Sequence, residues 1–178
     1  AVAMDEDGAA RLATEHLIGL GHERIGFIAG PDDYALSGWR VDGWRQAMAD
    51  ARLSTENLLA QGDFGFASGR AAATFLLDGA TPPTAIVASS DQMALATLEL
   101  ARERGLDVPA DLSIIGFDDT PIVRFVHPPL TAIVQPIAEV TANAVERVIA
   151  DKAGREPSTE PLIVPATLAI RASTGAPR

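Results

Sequence analysis

The stretch Pro82-Pro83-Thr84-Ala85-Ile86-Val87-Ala88-Ser89-Ser90-Asp91-Gln92-Met93-Ala94 decides the fold. Paired prolines break the chain, Thr84 to Ala88 is a short apolar run of β type, and Ser90 offers a hydroxyl N-cap to a helix predicted over Asp91 to Arg104. A strand that is apolar throughout, feeding directly into a helix, is the unit of a parallel sheet covered on both faces. The unit recurs in both directions. Upstream, Asp5 to Leu20 reads as a helix with Ala9, Leu12, Ala13, His16, Leu17 and Leu20 on one face and Gly21 as its C-cap. Arg24 to Ala29 follows as a buried strand ended by Gly30-Pro31, then a helix over Ser37 to Ala51 with Trp44, Ala47, Met48 and Ala51 inward. Leu58 to Phe64 is a weak strand and Ala67 to Leu77 an Ala-rich helix. Downstream come a buried strand within Asp111 to Phe117, an irregular Asp- and Pro-rich segment to Pro129, and a short strand over Leu130 to Val134. A helix over Pro136 to Lys152 has its proline near the first turn, and strand returns over Leu162 to Ile170, divided at Pro165. The fold class is α/β, a doubly wound parallel sheet.

Composition narrows the function. The chain has 178 residues, 14 basic and 24 acidic, for a net charge of -10. So acidic a surface does not suit nucleic acid, because phosphate neutralisation needs clustered Lys and Arg. With no cysteine there are no disulfides, thiolate metal sites or Cys nucleophiles. No apolar run approaches the roughly 18 residues that span a bilayer. The start, Ala1-Val2-Ala3-Met4-Asp5-Glu6-Asp7, has neither the basic flank nor the apolar stretch of a signal peptide and reads as the interior of a longer protein.

In a doubly wound sheet, ligands bind beyond the carboxyl ends of the strands. Those ends are Gly30-Pro31-Asp32-Asp33-Tyr34, Asp63-Phe64-Gly65-Phe66, Ser89-Ser90-Asp91 and Gly116-Phe117-Asp118-Asp119-Thr120, so one edge collects carboxylates, hydroxyls and rings. Phosphate loops and the nucleophile elbow are absent, and His16, His22 and His127 lack metal-ligand spacing. His16 reads as a packed helix residue. Asp32-Asp33 reads as turn chemistry. Asp118-Asp119 stays open between turn closure and a ligand role, since a carboxylate there suits hydroxyls of a sugar. Arg40, near a helix start beside Tyr34 and Trp39, is either solvated or a ligand contact. Strand alternation would put one of Phe64 and Phe66 inward and leave the other to stack on a ring. Ser90 caps its helix and is placed to meet a polar ligand as well.

Several segments resemble a known family in order and spacing. They are Leu17-Ile18-x-Leu20-Gly21-His22-x-Arg24-Ile25, Ser37-x-x-Arg40-x-x-Gly43-Trp44, Pro83-Thr84-Ala85-Ile86, Asp91-Gln92-Met93-Ala94, Val108-Pro109-x-Asp111-Leu112-Ser113-Ile114-Ile115-Gly116-Phe117-Asp118-Asp119, Pro128-Pro129-Leu130-Thr131 and Gln135-Pro136. Over nearly its whole length the chain resembles the effector-binding region of LacI/GalR-type bacterial transcriptional regulators. The resemblance implies a periplasmic-binding-protein-like domain of two lobes that closes on a small polar effector, commonly a sugar, and controls DNA binding through a helix-turn-helix headpiece outside this chain. It implies that 1–134 and 165–178 form the C-terminal lobe, with 135–164 a crossover helix and strand belonging to an otherwise missing N-terminal lobe. By position, Arg40, Asp118 and Gln135 match polar effector contacts and Phe64 a stacking ring, while Ser90 stands where many members have Asn. Ala94, Leu95, Leu98 and Ala101, with Ile122 and Val126, match a homodimer surface. The resemblance implies a cytoplasmic regulator with no catalysis, cofactor or metal, and operator DNA as a partner only through the headpiece. Two other readings stay open from the residues alone: a sugar-binding protein of a transport system, and a sugar-processing hydrolase using the Asp pairs.

Overall fold

Alternation along the strands explains how two apolar layers form around one sheet. Ile28, Ile86, Ala88, Ile114 and Ala132 point to one face; Ile25, Phe27, Val87, Ile115, Phe117 and Ile133 point to the other. In the computed structural model, which describes residues 1–153 and 160–178, each face is covered by a helix pair. The elements run β1 (Val2–Met4), α1 (Glu6–Gly19), β2 (Ile25–Ala29), α2 (Ala35–Asp50), β3 (Leu59–Gln61), α3 (Phe66–Leu77), β4 (Ala85–Ala88) and α4 (Asp91–Glu103). Then follow β5 (Ser113–Asp118), a 3-10 turn (Pro121–Arg124), β6 (Thr131–Val134), α5 (Ile137–Lys152), β7 (Leu162–Val164) and β8 (Thr167–Ala169). Helices α1 and α2 pack on the face that buries Trp44, whose ring stacks on Phe27 at 5.6 Å while its indole N–H donates to the Ile25 carbonyl. Helices α3 and α4 cover the face lined by Ile86 and Ile114.

The main sheet has strand order β3-β2-β4-β5-β6-β8, parallel except for β8, which pairs antiparallel with β6. From β2 the chain passes to β3 on one side and then to β4 on the other. The strand order therefore reverses between β2 and β4, and this switch point opens a crevice beyond their carboxyl ends.

The helices keep the expected faces to within two residues at their ends. Gly21, at φ +97°, closes α1 in a conformation that side-chain-bearing residues rarely adopt. The start of the chain forms a strand, Val2–Met4, that pairs with β7 in a separate two-stranded parallel sheet and not with the six-stranded one. One expectation is corrected. The weak strand ends at Gln61, short of Phe64, because Gly62 and the Asp63–Ser68 turn take over the backbone hydrogen bonding. Pro165 divides the last strand as read: β7 joins the small sheet and β8 the large one. The part of the expected crossover that falls on 154–159 lies outside the described residues.

At the opposite end of the strands a polar network seats the C-terminal segment. His22 shares Nδ1 with the Thr84 hydroxyl at 2.8 Å and Nε2 with the Gly175 carbonyl at 2.9 Å, while the Ser173 hydroxyl donates to the Ile114 carbonyl. Burial lowers the His22 pKa below the usual histidine value, since the charged ring would lose hydration there.

Helix α5 differs from the other four helices in having no fully buried residue. Its apolar residues Ile137, Val145, Val148 and Ile149 are each more than half exposed. Such a stripe on an isolated helix favours association. The 178-residue chain is expected to self-associate in sedimentation velocity as its concentration rises, and Val148→Lys with Ile149→Lys is expected to return it to monomer. Monomer alone at high concentration for the unsubstituted chain would refute this.

Candidate functional site

The crevice at the switch point is built by residues from six segments. Arg40, in the second turn of α2, is buried. Its Nε donates to Glu6 Oε2 at 2.6 Å and its Nη1 to the Ser89 carbonyl at 2.7 Å. Its guanidinium lies 3.7 Å from the centroid of the Phe117 ring. A planar cation held by a carboxylate, a carbonyl and an aromatic face has one geometry open to it. The arginine is therefore a fixed part of the crevice rather than a solvated side chain.

Phe64 lies 6.0 Å from the same guanidinium and meets Tyr34 edge-on at 6.1 Å. Its backbone has φ +70°, a costly conformation for a bulky residue. The Ser90 hydroxyl holds it by donating to the Phe64 carbonyl at 2.8 Å, and at Gly30 a Cβ would collide with the Phe64 ring. Alternation along a strand does not choose between the two phenylalanines, since neither is in β3. Phe64 is in a turn against the core, and Phe66 opens α3 partly exposed.

Asp118 ends β5 and sits opposite Val134 in the parallel register with β6, so the next residue, Gln135, is brought alongside and donates Nε2 to Asp118 Oδ1. Burial raises the Asp118 carboxyl above its ordinary value, an effect opposed by Gln135 and by the charge of Arg40. Asp119 faces the other way: it is buried and bridges Arg171 and Arg124, each at 2.6 Å. The Asp pair thus divides between the crevice and the loop that supports it. Both residues have positive φ, 116° and 56°, a strain that the two arginines and Gln135 hold in place.

Sequence reasoning brought Arg40, Phe64, Ser90, Asp118 and Gln135 to this edge, and all five are there. Ser90 is largely committed to the fold, accepting from the Met93 amide while donating to Phe64. Asp32 and Asp33 lie in the turn before α2, as expected of turn residues. The surface residues need correction. Ala94, Leu98 and Ala101 belong to the chain's own apolar core, because the apolar stripe of α4 faces the sheet, so they present no surface for a second copy. Leu95 and Val126 are half-buried, and Ile122 is exposed beside Phe125, itself 82% exposed.

Several site residues went unread. Glu6, in the first turn of α1, is the ion partner of Arg40. Ser37 and Ser89 are buried at the switch point, each with a hydroxyl lacking any partner. Asp91 is buried, with Oδ2 accepting from both the amide and the hydroxyl of Thr120, while Oδ1 faces Gly116 unpartnered. Loss of hydration pushes its pKa from 3.8 up to about 6, with Asp118 and Asp119 adding repulsion. A hollow of about 190 Å³ lined by Asp32, Ser37, Arg45 and Gln61 opens on the same edge. A larger one of about 440 Å³, around Asn57, Phe75 and Thr81, lies at the opposite end, away from these groups.

Comparison with known proteins adds the family to this geometry. Residues 14–174 match the model of the periplasmic binding protein-like domain. The chain is 40% identical over 176 residues to the HTH-type transcriptional repressor CytR of Escherichia coli K12, covering 98% of this chain and 52% of that protein. The chain is a periplasmic-binding-protein-like domain of the LacI family. Its fold matches a LacI-family regulatory protein from Chloroflexus aggregans with a TM-score of 0.93 and 41% identity, over 98% of this chain and 63% of that one. It also matches a transcriptional regulator CelR–cellobiose complex with a TM-score of 0.90 and 35% identity, over 97% of this chain and 53% of that one. This LacI-family chain thus spans about half the length of the curated relatives it matches. Those relatives are transcriptional regulators rather than enzymes. Among the described residues, no helix is long and apolar enough to cross a membrane.

The sign of the Asp91 linkage is fixed by its raised pKa. The folded state holds this proton more tightly than the unfolded state, so the group stabilises the fold below its ordinary pKa of 3.8. That contribution is lost as pH rises through about 6. Asp91→Asn is expected to remove this dependence and to raise the unfolding free energy at neutral pH by up to about 3 kcal/mol. Urea melts across that pH range check it; equal slopes with pH for both proteins would refute it.

Proposed function

We propose that this chain is the effector-sensing part of a LacI-family transcriptional regulator: it binds a small polar effector, a sugar or related polyol, in the crevice between β2 and β4 and converts occupancy into a change in DNA binding elsewhere in the protein. The observation that carries this is the convergence of Arg40, Phe64, Asp118 and Gln135 on one strand edge, with the buried hydroxyls of Ser37 and Ser89 unpartnered at its base. Hydroxyl-rich ligands satisfy such groups, and each hydrogen bond to a charged partner contributes about 1.5–3 kcal/mol. The likeness to a regulator solved with cellobiose supports the same reading. The large sheet with its four helices forms one lobe, and α5 with β1 and β7 belongs to the other. Occupancy would shift the balance between two arrangements of the lobes, which is coupling through differential affinity. The regulator works in the cytoplasm as a homodimer, with Leu95, Ile122, Phe125 and Val126 at the contact. It binds without turnover and needs no cofactor or metal.

A transport binding protein shares the fold. The relatives named as HTH-type transcriptional regulators favour the sensor, and the acidic chain is consistent with DNA contact falling to a separate headpiece.

A thermal-shift screen of sugars, polyols and purines, followed by calorimetry, tests the assignment. At ligand concentrations near 100 times Kd, stabilisation of about 2.7 kcal/mol is expected. Asp118→Asn is expected to weaken binding of the hit at least tenfold, about 1.4 kcal/mol. Chemical conversion of the hit that is lost in Asp118→Asn would instead establish a hydrolase. The 178-residue chain alone is expected to bind at least 100-fold more weakly than a protein carrying both lobes, about 2.7 kcal/mol, and equal constants would refute the two-lobed site.

A further inference from the structure

The main sheet ends on one side at β3, which pairs with β2 alone among the described residues. The Leu58 carbonyl accepts from the Phe27 amide and the Gly62 amide donates to the Ala29 carbonyl, so positions 58, 60 and 62 bond toward β2. In such a ladder the residues between them turn their N–H and C=O groups the other way. The outward groups of Leu59 and Gln61 therefore have no partner among the described residues. Proteins commonly blunt an edge of this kind with charge or proline. From Asn57 to Gly62 the chain carries neither. Hollows flank the same edge on both faces. On the α3 side, one of about 370 Å³ lies between Ala60, Ala71 and Phe75. Phe75, 62% exposed, also lines the hollow of about 440 Å³ that extends to Thr81. On the α2 side, Leu59 and Gln61 share the hollow of about 190 Å³ with Asp32, Asp42 and Arg45. Asp32 has no ion-pair partner among the described residues, and Asp42 meets Arg45 at 3.8 Å with both side chains exposed. That side is left with a surplus of negative charge.

We propose that β3 is a docking edge for another protein, which adds to it, as a further strand, an extended segment of alternating apolar and basic side chains. Successive side chains of a strand point to opposite faces of the sheet. Every second residue of the added strand thus falls on the α3 side, against Phe75 and Ala71, where an apolar side chain fills the hollow. The residues between fall on the α2 side, where a Lys or Arg meets Asp32 and Asp42. Backbone bonds to Leu59 and Gln61 hold any extended chain, and the two unlike hollows choose among chains. A second copy of this protein is the poorer occupant. Its own β3 would bring Leu59, Ala60 and Gln61, none of them a cation for the two carboxylates. The docking edge draws on none of Arg40, Phe64, Asp118 and Gln135, so it stands or falls apart from the effector-sensing reading.

Synthetic heptapeptides with blocked ends, titrated into the full-length protein, test this. Alternating Lys–Val is the probe. Alternating Glu–Val tests the charge, and Lys–Val with methylated backbone nitrogens tests the ladder bonds. By calorimetry Lys–Val is expected to bind at least tenfold more tightly than either control. Hydrogen exchange read by mass spectrometry is expected to slow at least tenfold over residues 57–62 when it binds. Absence of binding, equal binding by either control, or slowed exchange confined to other segments would each overturn the proposal. Two variants locate the contact. Proline is tolerated in an edge strand where its missing N–H would face away from the sheet. Gln61→Pro is therefore expected to weaken Lys–Val binding at least tenfold with the circular dichroism spectrum unchanged. Asp32→Asn combined with Asp42→Asn, both exposed positions, is expected to lower the Lys–Val to Glu–Val affinity ratio at least fivefold. A folded Gln61→Pro protein that binds as before, or an unchanged ratio in the double variant, would overturn the docking edge. Should Gln61→Pro not fold, the ratio and the methylated peptide decide.

Discussion

A parallel sheet covered on both faces leaves polar chemistry only two exits, the two ends of its strands. Everything between them is buried: β2, β4 and most of β5 have no exposed residue, and each face is closed by a helix pair. The hydrogen-bonding groups at each end must be satisfied by loops, by side chains or by a ligand. At the amino end the protein satisfies most of them itself, with His22, Thr84, Ser113 and the C-terminal segment, and the Arg24 Nε alone is buried without a partner among the described residues. At the carboxyl end it leaves Ser37, Ser89 and Asp91 incompletely satisfied. That asymmetry separates a structural end from the end where we propose that a ligand binds, and the strand order reverses on that edge between β2 and β4.

The carboxyl end is rigid because its members hold one another. Glu6 fixes Arg40, Arg40 lies on Phe117 and ties the end of β4 through the Ser89 carbonyl, Ser90 holds Phe64, and Asp91 holds the loop after β5 through Thr120. Behind that loop Asp119 and its two arginines supply the support that lets Asp118 keep a positive φ. Backbone strain at Phe64, Asp118 and Asp119 would relax if these contacts were absent, so the fixed geometry is bought with contacts from α1 to the strand β8 region. Such a preorganised surface would not have to order itself before meeting a ligand.

Much of this was legible in the sequence, and the remainder fails for identifiable reasons. Strand and helix identities follow from periodicity and from cap residues such as Ser90 and Gly21, which act locally. Arg40, Phe64, Asp118 and Gln135 could be placed on one edge because strand ends in this architecture gather there. Partnerships across the fold were not legible. Glu6 precedes Arg40 by 34 positions, and nothing in a run of acidic helix-start residues distinguishes the one that turns inward. Val2–Met4 is too short to declare itself a strand, and its partner, β7, lies at the other end of the chain. The α4 stripe read as an association surface is an inner face, since Ala94, Leu98 and Ala101 are apolar for the sake of the sheet beneath them. An apolar stripe states that a face is covered, not what covers it.

The same distinction bears on what the crevice does. Hydrolysis by a carboxylate pair needs two groups facing one bond, one to donate a proton and one to attack or to activate water. The adjacent acids here cannot serve that way, because Asp119 is turned inward and locked between Arg171 and Arg124. Asp91, whose pKa near 6 would suit proton transfer, is buried beneath Gly116 and occupied by Thr120. What remains facing the crevice is Asp118, oriented by Gln135, beside an arginine immobilised by its own ion pair. These groups are arranged to hold a hydroxyl in place, and the last of them, Gln135, directly precedes Pro136 and the start of α5.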